Sequence, residues 1–130
     1  GSGYQTAVLA HLAQDVIGLE LIPDLAERAS LQLKEMGYAN VAVEVGDGSA
    51  GYAQKAPYDA ILAAAAAPTI PEPLLMQLAD GGRLVIPVGD SSEQMIECAL
   101  RKGETMHIKR LVPVRFVPLI GKFGFKADWR

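Results

Sequence analysis

Hydrophobic residues follow two different spacings along this chain, and the two spacings alternate. Short continuous apolar runs are typical of strands buried on both faces, and such runs predict strands at 15–22, 41–45, 60–65 and 83–88. Apolar residues three and four apart mark one face of a helix, and this spacing predicts helices at 4–13, 23–36 and 71–78. Two later runs, 95–100 and 111–117, predict an antiparallel pair. This order of elements predicts an α/β sandwich whose sheet is parallel in its first part.

Cap and turn residues set the predicted ends of these elements. Pro23 is suited to the first position of its helix, and Asp24 follows it in the turn where the helix dipole favours acids. Gly37 is placed to end that helix, and Gly81-Gly82 is placed to end the helix at 71–78. The predicted connection between the last two strands holds Gly103, Met106 and His107. The apolar stripes consist of Val8, Leu9 and Leu12 in the first helix and Leu25, Ala26, Ala29, Leu33 and Met36 in the second.

The composition bounds the class of the protein. Half of the 130 residues are apolar, which is enough for a core and argues against disorder. The net charge of −3 and the pI of about 5.3 are not typical of proteins that coat nucleic acid or anionic membranes. Cys98 is the only cysteine, as in a reducing compartment, and His11 and His107 have no ligand cluster around them, so no metal site is predicted. We therefore expect one cytoplasmic domain over 1–130 that binds neither nucleic acid nor a membrane.

Three segments fall where the carboxyl ends of parallel strands are predicted, and ligands bind at such ends in open sheets. They are Gly1-Ser2-Gly3, Glu20 and Gly46-Asp47-Gly48. A glycine turn that leads into a helix lets the backbone approach a ligand and offers the first N–H groups of the helix. The separation of Glu20 from Gly3 is close to the offset of about 20 residues at which an acid binds a ribose after such a turn.

Glu20 and Asp47 each have a second interpretation. Glu20 can accept hydrogen bonds from two ribose hydroxyls, or it is an exposed loop acid or a cap for the helix at Pro23. Asp47 is an acceptor for an adenine amino group, or a turn residue between two glycines. Thr6 stands where a dinucleotide fingerprint has its third glycine, which argues against NAD. A nucleoside without phosphates fits better, and S-adenosylmethionine is the common one.

Longer motifs in this chain resemble those of one family. In chain order they are Gly1-Ser-Gly-Tyr-Gln5, Gly18-x-Glu20-x-Ile22-Pro23-x-Leu25-Ala26, Gly46-Asp-Gly48, Ala56-Pro-Tyr-Asp-Ala-Ile61, Ala65-Ala-Ala-Pro-x-Ile-Pro71, Gly81-Gly-Arg-Leu-Val-Ile-Pro-Val-Gly89 and Pro113-Val-Arg-Phe-Val-Pro-Leu119. In this order, and over nearly the whole chain, they resemble the C-terminal portion of the protein-L-isoaspartate O-methyltransferases.

The resemblance implies a fold, a reaction and a set of contacts. The implied fold is the Rossmann-like three-layer α/β sandwich of S-adenosylmethionine-dependent methyltransferases, mostly parallel with a C-terminal antiparallel strand and the strand order 3-2-1-4-5-7-6. The implied reaction is methyl transfer from S-adenosylmethionine to the free carboxylate of L-isoaspartyl residues in damaged proteins. The implied cofactor contacts are Gly1, Ser2, Gly3, Glu20, Leu21, Asp47 and Gly48. Among them Glu20 holds the ribose, and Asp47 and Gly48 meet the adenine.

The chain also departs from the family pattern. Ala63-Ala64 stands where the family usually has Val-Thr, and Ile120 stands where a polar residue is expected. The substrate loop and first strand of the family are not in this sequence. We therefore expect 1–130 alone to be inactive and to associate through open edges at 16–21 and 60–65, whereas the intact protein is expected to be a monomer. No catalytic residue is predicted. Two alternatives stay open: a methyltransferase of the same fold with another substrate, and a non-catalytic member.

Overall fold

The computed structural model of this chain describes residues 3–127. They divide into two compact units, and the chain passes from the first to the second between Gly48 and Ser49. The N-terminal unit contains α1 (Tyr4–Ala10), β1 (Val16–Glu20), α2 (Pro23–Glu35) and β2 (Val41–Val45). Strands β1 and β2 are parallel, which confirms the predicted pairing at the start of the chain, and β2 has the predicted bounds.

Helix α2 begins at the predicted residue and ends within one residue of the predicted end. Pro23 occupies its first turn, where the N–H that proline lacks would have no partner in the helix. After the helix Gly37 has φ +87°, and its N–H donates to the carbonyl of Lys34 at 3.0 Å. The next N–H, of Tyr38, donates to the carbonyl of Leu33 at 3.1 Å. These two bonds form a Schellman motif, so the predicted role of Gly37 is confirmed.

The apolar stripe of α2 is buried only in part. Ala26, Ala29 and Leu33 are buried, whereas Leu25 is half-buried and Met36 is 60% exposed. The prediction was wrong for Met36 because this residue is the C-cap, where the chain leaves the helix.

Helix α1 is shorter than the predicted helix at 4–13. It ends at Ala10, and the side-chain amide of Asn40 donates to the carbonyls of Ala10 (2.9 Å) and Ala13 (3.1 Å). These bonds satisfy carbonyls that a continuing helix would have paired internally. The predicted apolar face is not buried as expected, since Val8 is 42% and Leu12 is 79% exposed.

Strand β1 differs from its prediction in length and in burial. It is confined to Val16–Glu20 rather than 15–22, and all five of its residues are half-buried instead of buried. Within the described part of the chain β1 pairs with β2 alone, so one of its edges has no strand beside it.

The C-terminal unit is built around a four-stranded sheet. Its elements are β3 (Tyr58–Leu62), α3 (Glu72–Met76), β4 (Leu78–Gly89), β5 (Gln94–Lys102) and β6 (Thr105–Val114). The strand order is β3-β4-β5-β6, with β3 parallel to β4 and the later pairs antiparallel. Two short 3₁₀ turns precede β3 at Gly48–Ala50 and Ala53–Lys55. The predicted strand at 60–65 therefore begins and ends earlier, at 58–62.

The Gly81-Gly82 pair does not end a helix, as the sequence suggested. Helix α3 is only five residues long, and both glycines lie inside β4. The pairing of β3 with β4 is irregular between Tyr58 and Ala60, and Gly81 there has φ +80°. A Cβ atom on Gly82 would lie 2.8 Å from the carbonyl oxygen of Tyr58. Gly82 is thus needed for a close approach between the strands, whereas Gly81 is favoured by its positive φ.

The order of the last strands corrects the one that the resemblance implied. That order would place β6 next to β4, but β5 is the neighbour of β4 and β6 lies outside it. The physical reason is the short connection: only residues 90–93 join β4 to β5, and such a loop makes a hairpin of adjacent strands. The turn between β5 and β6 is equally tight around Gly103, so Met106 and His107 belong to β6 and not to the connection.

The side chain of Asp90 organises the β4–β5 hairpin. One carboxylate oxygen accepts hydrogen bonds from the N–H groups of Ser92 (2.8 Å) and Glu93 (3.1 Å) and from the Ser92 hydroxyl (2.6 Å). The hydroxyl bond, followed by the two backbone bonds, lowers the pKa of Asp90.

Because the bonds favour the ionised form, their contribution to hairpin order is present above the usual aspartate pKa and is lost as pH falls through the lowered one. We expect faster amide exchange at Ser92 and Glu93 below that pH, measured by NMR against the reference exchange rate at each pH. In Asp90→Asn the carboxyl is gone, so this pH dependence should disappear. A pH dependence that persists in the variant would contradict the role of Asp90.

The core of the C-terminal unit lies under this sheet. Its buried members are Ala67, Leu74, Leu78, Leu84, Ile86 and Ala99. Among residues 3–127 no helix is long and apolar enough to cross a bilayer.

Candidate functional site

The predicted acidic residues lie at the carboxyl ends of two neighbouring strands. Register pairs Glu20, the last residue of β1, with Val45, the last residue of β2. The ladder continues one residue further, since the N–H of Gly46 donates to the carbonyl of Glu20 at 3.0 Å. Asp47 comes next in the chain, so the structure brings Glu20 and the Gly46–Gly48 segment to the same edge of the two-stranded sheet.

Glu20 is held in place by its own backbone surroundings. Glu20 is half-buried, and its Oε2 accepts a hydrogen bond from the N–H of Leu21 at 2.8 Å. The pKa of Glu20 lies below its usual value: burial acts to raise it, and the N–H groups of Leu21 and Ile22 are among the groups that lower it by favouring the ionised form. The site therefore presents a fixed negative charge at the end of β1.

Leu21 follows Glu20 directly in the chain, and the Asp47-Gly48 pair follows Gly46 just after the neighbouring strand β2. Leu21 is 45% exposed. Asp47 is half-buried, and Gly48 opens the 3₁₀ turn that runs to Ala50. A half-buried carboxylate followed by a glycine turn can accept a hydrogen bond and admit a flat group close to the backbone.

Gly3 is the first residue that the structure describes, and Gly1 and Ser2 lie outside the described residues. Gly3 has φ +86° and is the N-cap of α1, where its carbonyl accepts from the N–H of Ala7 at 2.9 Å. A Cβ atom on Gly3 would be 3.3 Å from Leu33 and 3.4 Å from Ala29. The glycine is needed for packing against α2, which the sequence did not predict.

Gly18 has a packing role that the sequence analysis missed. A Cβ atom at this position would lie 3.0 Å from Oγ1 of Thr6, so α1 and β1 approach each other closely at this point. The signal was available, because a glycine inside an apolar strand marks a close approach. From the sequence alone, Thr6 was evidence only against the binding of a dinucleotide.

Within residues 3–127, neither the histidines nor Cys98 lies in a metal-binding cluster. His11 is exposed and its Nε2 lies 2.9 Å from the hydroxyl of Tyr38, and His107 is exposed on β6. Cys98 is half-buried in β5. No group of three or more His, Cys, Asp and Glu side chains within residues 3–127 is arranged to hold a metal ion.

Comparison of the sequence with known families gives a match over nearly its whole length. The family described as protein-L-isoaspartate(D-aspartate) O-methyltransferase matches residues 1–124. The chain is 50% identical over 129 residues to a protein-L-isoaspartate O-methyltransferase of Methanospirillum hungatei, with 99% of this chain and 60% of that protein covered. The chain thus spans about 60% of the length of the curated relatives it matches.

Two solved structures are similar in fold. One is a protein-L-isoaspartate O-methyltransferase with a TM-score of 0.87 and 27% identity, covering 95% of this chain and 41% of that one. The other is a candidate protein-L-isoaspartate O-methyltransferase of Plasmodium falciparum in complex with S-adenosyl-L-homocysteine. Its TM-score is 0.70 at 26% identity, covering 91% of this chain and 58% of that one. These likenesses confirm the predicted α/β methyltransferase fold.

Proposed function

The chain belongs to the protein-L-isoaspartate O-methyltransferase family. From this premise we propose an activity for the protein that contains this chain. Such a protein transfers a methyl group from S-adenosylmethionine to the free carboxylate of L-isoaspartyl residues in damaged proteins. The observation that carries the proposal is the family match over residues 1–124, which includes every predicted cofactor contact. The described geometry of Glu20 and Asp47 supports it.

The residues at the edge of β1 and β2 fit a nucleoside cofactor. Glu20 is ionised and fixed, and a carboxylate has about four acceptor positions, so it can serve the N–H of Leu21 and ribose hydroxyls together. Asp47 offers an acceptor for the adenine amino group, and Gly48 leaves room beside the ring. These acceptors suit the hydroxyl and amino groups of a nucleoside.

The reaction asks little of acid–base chemistry. An isoaspartyl carboxylate has an ordinary pKa of about 4 and is already a nucleophile at neutral pH, so no general base is required. S-adenosylmethionine, when bound, supplies an electrophilic methyl group. The contribution of Glu20, Asp47 and Gly48 is to hold the nucleoside in one orientation, because fixed orientation of reacting groups is worth about 7–11 kcal/mol in favourable cases.

We propose a cytoplasmic location and protein substrates as parts of the same hypothesis. Damaged proteins with isoaspartyl residues are the partners in this proposal. A chain with Cys98 as its only cysteine suits a reducing compartment.

The proposed substrate is tested with two peptides that differ only in one linkage. With the intact protein we expect methyl transfer to an isoaspartyl peptide and none above background to its aspartyl twin, because only the isoaspartyl form has its α-carboxylate free. Transfer of the tritiated methyl group is the measurement, and binding of S-adenosylhomocysteine by calorimetry is the control. Equal methylation of both peptides would indicate a methyltransferase of another specificity. A protein that binds no S-adenosylhomocysteine would be a non-catalytic member of the family.

A further inference from the structure

A buried glutamine, Gln77, forms hydrogen bonds to a segment of the chain for which the sequence predicted no role. It lies between α3 and β4 and is 9% exposed. Its Nε2 donates to the carbonyl of Ala50 at 3.0 Å, and its Oε1 accepts from the N–H of Tyr52 at 2.9 Å. One side-chain amide thus pairs with the backbone on both sides of Gly51, much as a neighbouring strand would.

Gly51 completes this arrangement. Its φ is +69°, and a Cβ atom on it would lie 2.2 Å from Oε1 of Gln77. A larger residue at position 51 would therefore be strained in its backbone and would also push the Gln77 amide away. The position of the Gln77 amide thus requires a glycine at position 51, and the amide in turn pairs with the backbone on both sides of that glycine.

Two further contacts fix the same segment, residues 49–52. The buried Ser49 hydroxyl accepts a hydrogen bond from the N–H of Phe123 at 3.0 Å, and the hydroxyl of Tyr58 donates to the carbonyl of Tyr52. Burial, and then the neighbouring Tyr52, raise the pKa of Tyr58, so the phenol retains the proton that it donates. Connecting segments are usually the mobile parts of a fold, and such complete fixation indicates that the position of this one matters.

The segment continues the proposed base-binding residues. Ala50, which Gln77 holds, is the last residue of the 3₁₀ turn that begins at Gly48, and Asp47 directly precedes that turn. We infer that Gln77 is a positioning residue for recognition of the adenine: it fixes Ala50, the last residue of the turn whose first residue, Gly48, is proposed to meet the base. This inference rests on the proposed function.

The test compares two ligands that differ at the base alone. S-inosylhomocysteine carries a carbonyl where the adenine of S-adenosylhomocysteine carries its amino group, so the ratio of the two dissociation constants measures recognition of that group. In Gln77→Met, which removes donor and acceptor, we expect the preference for S-adenosylhomocysteine to fall by about fivefold or more, the scale of one lost hydrogen bond. Gln54→Met is the matched control, since Gln54 is an exposed residue close to the segment in sequence.

A second variant reaches the same contact from the other side. Gly51→Ala leaves Gln77 in place but directs a methyl group into its amide, and we expect the same loss of base preference. Gly103→Ala is its control, because Gly103 also has a positive φ, +61°, but a Cβ atom on it would contact nothing within 4 Å. Thermal melts of all variants show which of them fold.

The outcomes separate the inference from its premise. A wild-type protein that binds neither ligand would contradict the proposed function, and this inference with it. A wild-type protein that prefers S-adenosylhomocysteine, together with folded Gln77→Met and Gly51→Ala variants that keep the preference or weaken both ligands equally, would overturn the inference alone. A loss of preference in both variants but in neither control would support it.

Discussion

In Glu20→Ala of the intact protein we expect the affinity for S-adenosylhomocysteine to fall by about 1–3 kcal/mol, or roughly 5- to 150-fold. The substitution removes a carboxylate that the N–H of Leu21 holds in place, and a hydrogen bond to a charged acceptor is worth about this much. Isothermal titration calorimetry measures the change. Glu20→Gln keeps one carbonyl acceptor and is expected to lie between the wild type and Glu20→Ala.

Glu35→Ala is the control for this prediction. Glu35 is an exposed acid at the end of α2, so its removal changes the net charge by the same amount without touching the edge of β1 and β2. If Glu20→Ala and Glu35→Ala both bound as the wild type does, Glu20 would be a structural loop acid and the proposed ribose contact would be wrong.

In Leu84→Ala we expect the free energy of unfolding to fall by about 2–5 kcal/mol. Leu84 is fully buried in β4 within the core of the C-terminal unit, and truncation of a core leucine costs transfer free energy and leaves a cavity. Leu111→Ala is the control, since Leu111 lies in β6 of the same sheet and is 52% exposed. We expect it to change stability by about 0.5 kcal/mol or less.

Urea denaturation followed by circular dichroism measures both variants. The midpoints should differ while the slopes with denaturant stay alike. Equal losses in the two variants would mean that the side of the sheet facing Leu84 is not the core of this unit.

Local signals predicted both ends of α2 and the second strand well. Pro23 and Gly37 act within one turn of the chain, and neither depends on distant residues. The Gly81-Gly82 pair does not mark a helix end, because Gly82 is required by the close approach of the Tyr58 carbonyl on another strand. Local sequence signals do not show which residue of another strand will lie beside a glycine.

The site shows the same division between local and distant information. Glu20 and Asp47 could be predicted because a parallel sheet places the ends of adjacent strands together, and the register of β1 with β2 is consistent with that expectation. Gln77 could not, because its partners Ala50 and Tyr52 are 27 and 25 positions away in sequence. The strand order was implied by resemblance, and the short β4–β5 connection contained the information that corrected it.

The contact between Gly18 and Thr6 bears on how such proteins are recognised by pattern. In a dinucleotide fingerprint the third glycine lets helix and strand pack closely. Here the helix carries Thr6 and the strand carries the glycine, with Oγ1 of Thr6 3.0 Å from where a Cβ of Gly18 would be. Close packing thus requires that one of the two facing positions has no side chain. Either the helix or the strand can provide the glycine. A consensus written one position at a time cannot express this, whereas a rule written for the pair would.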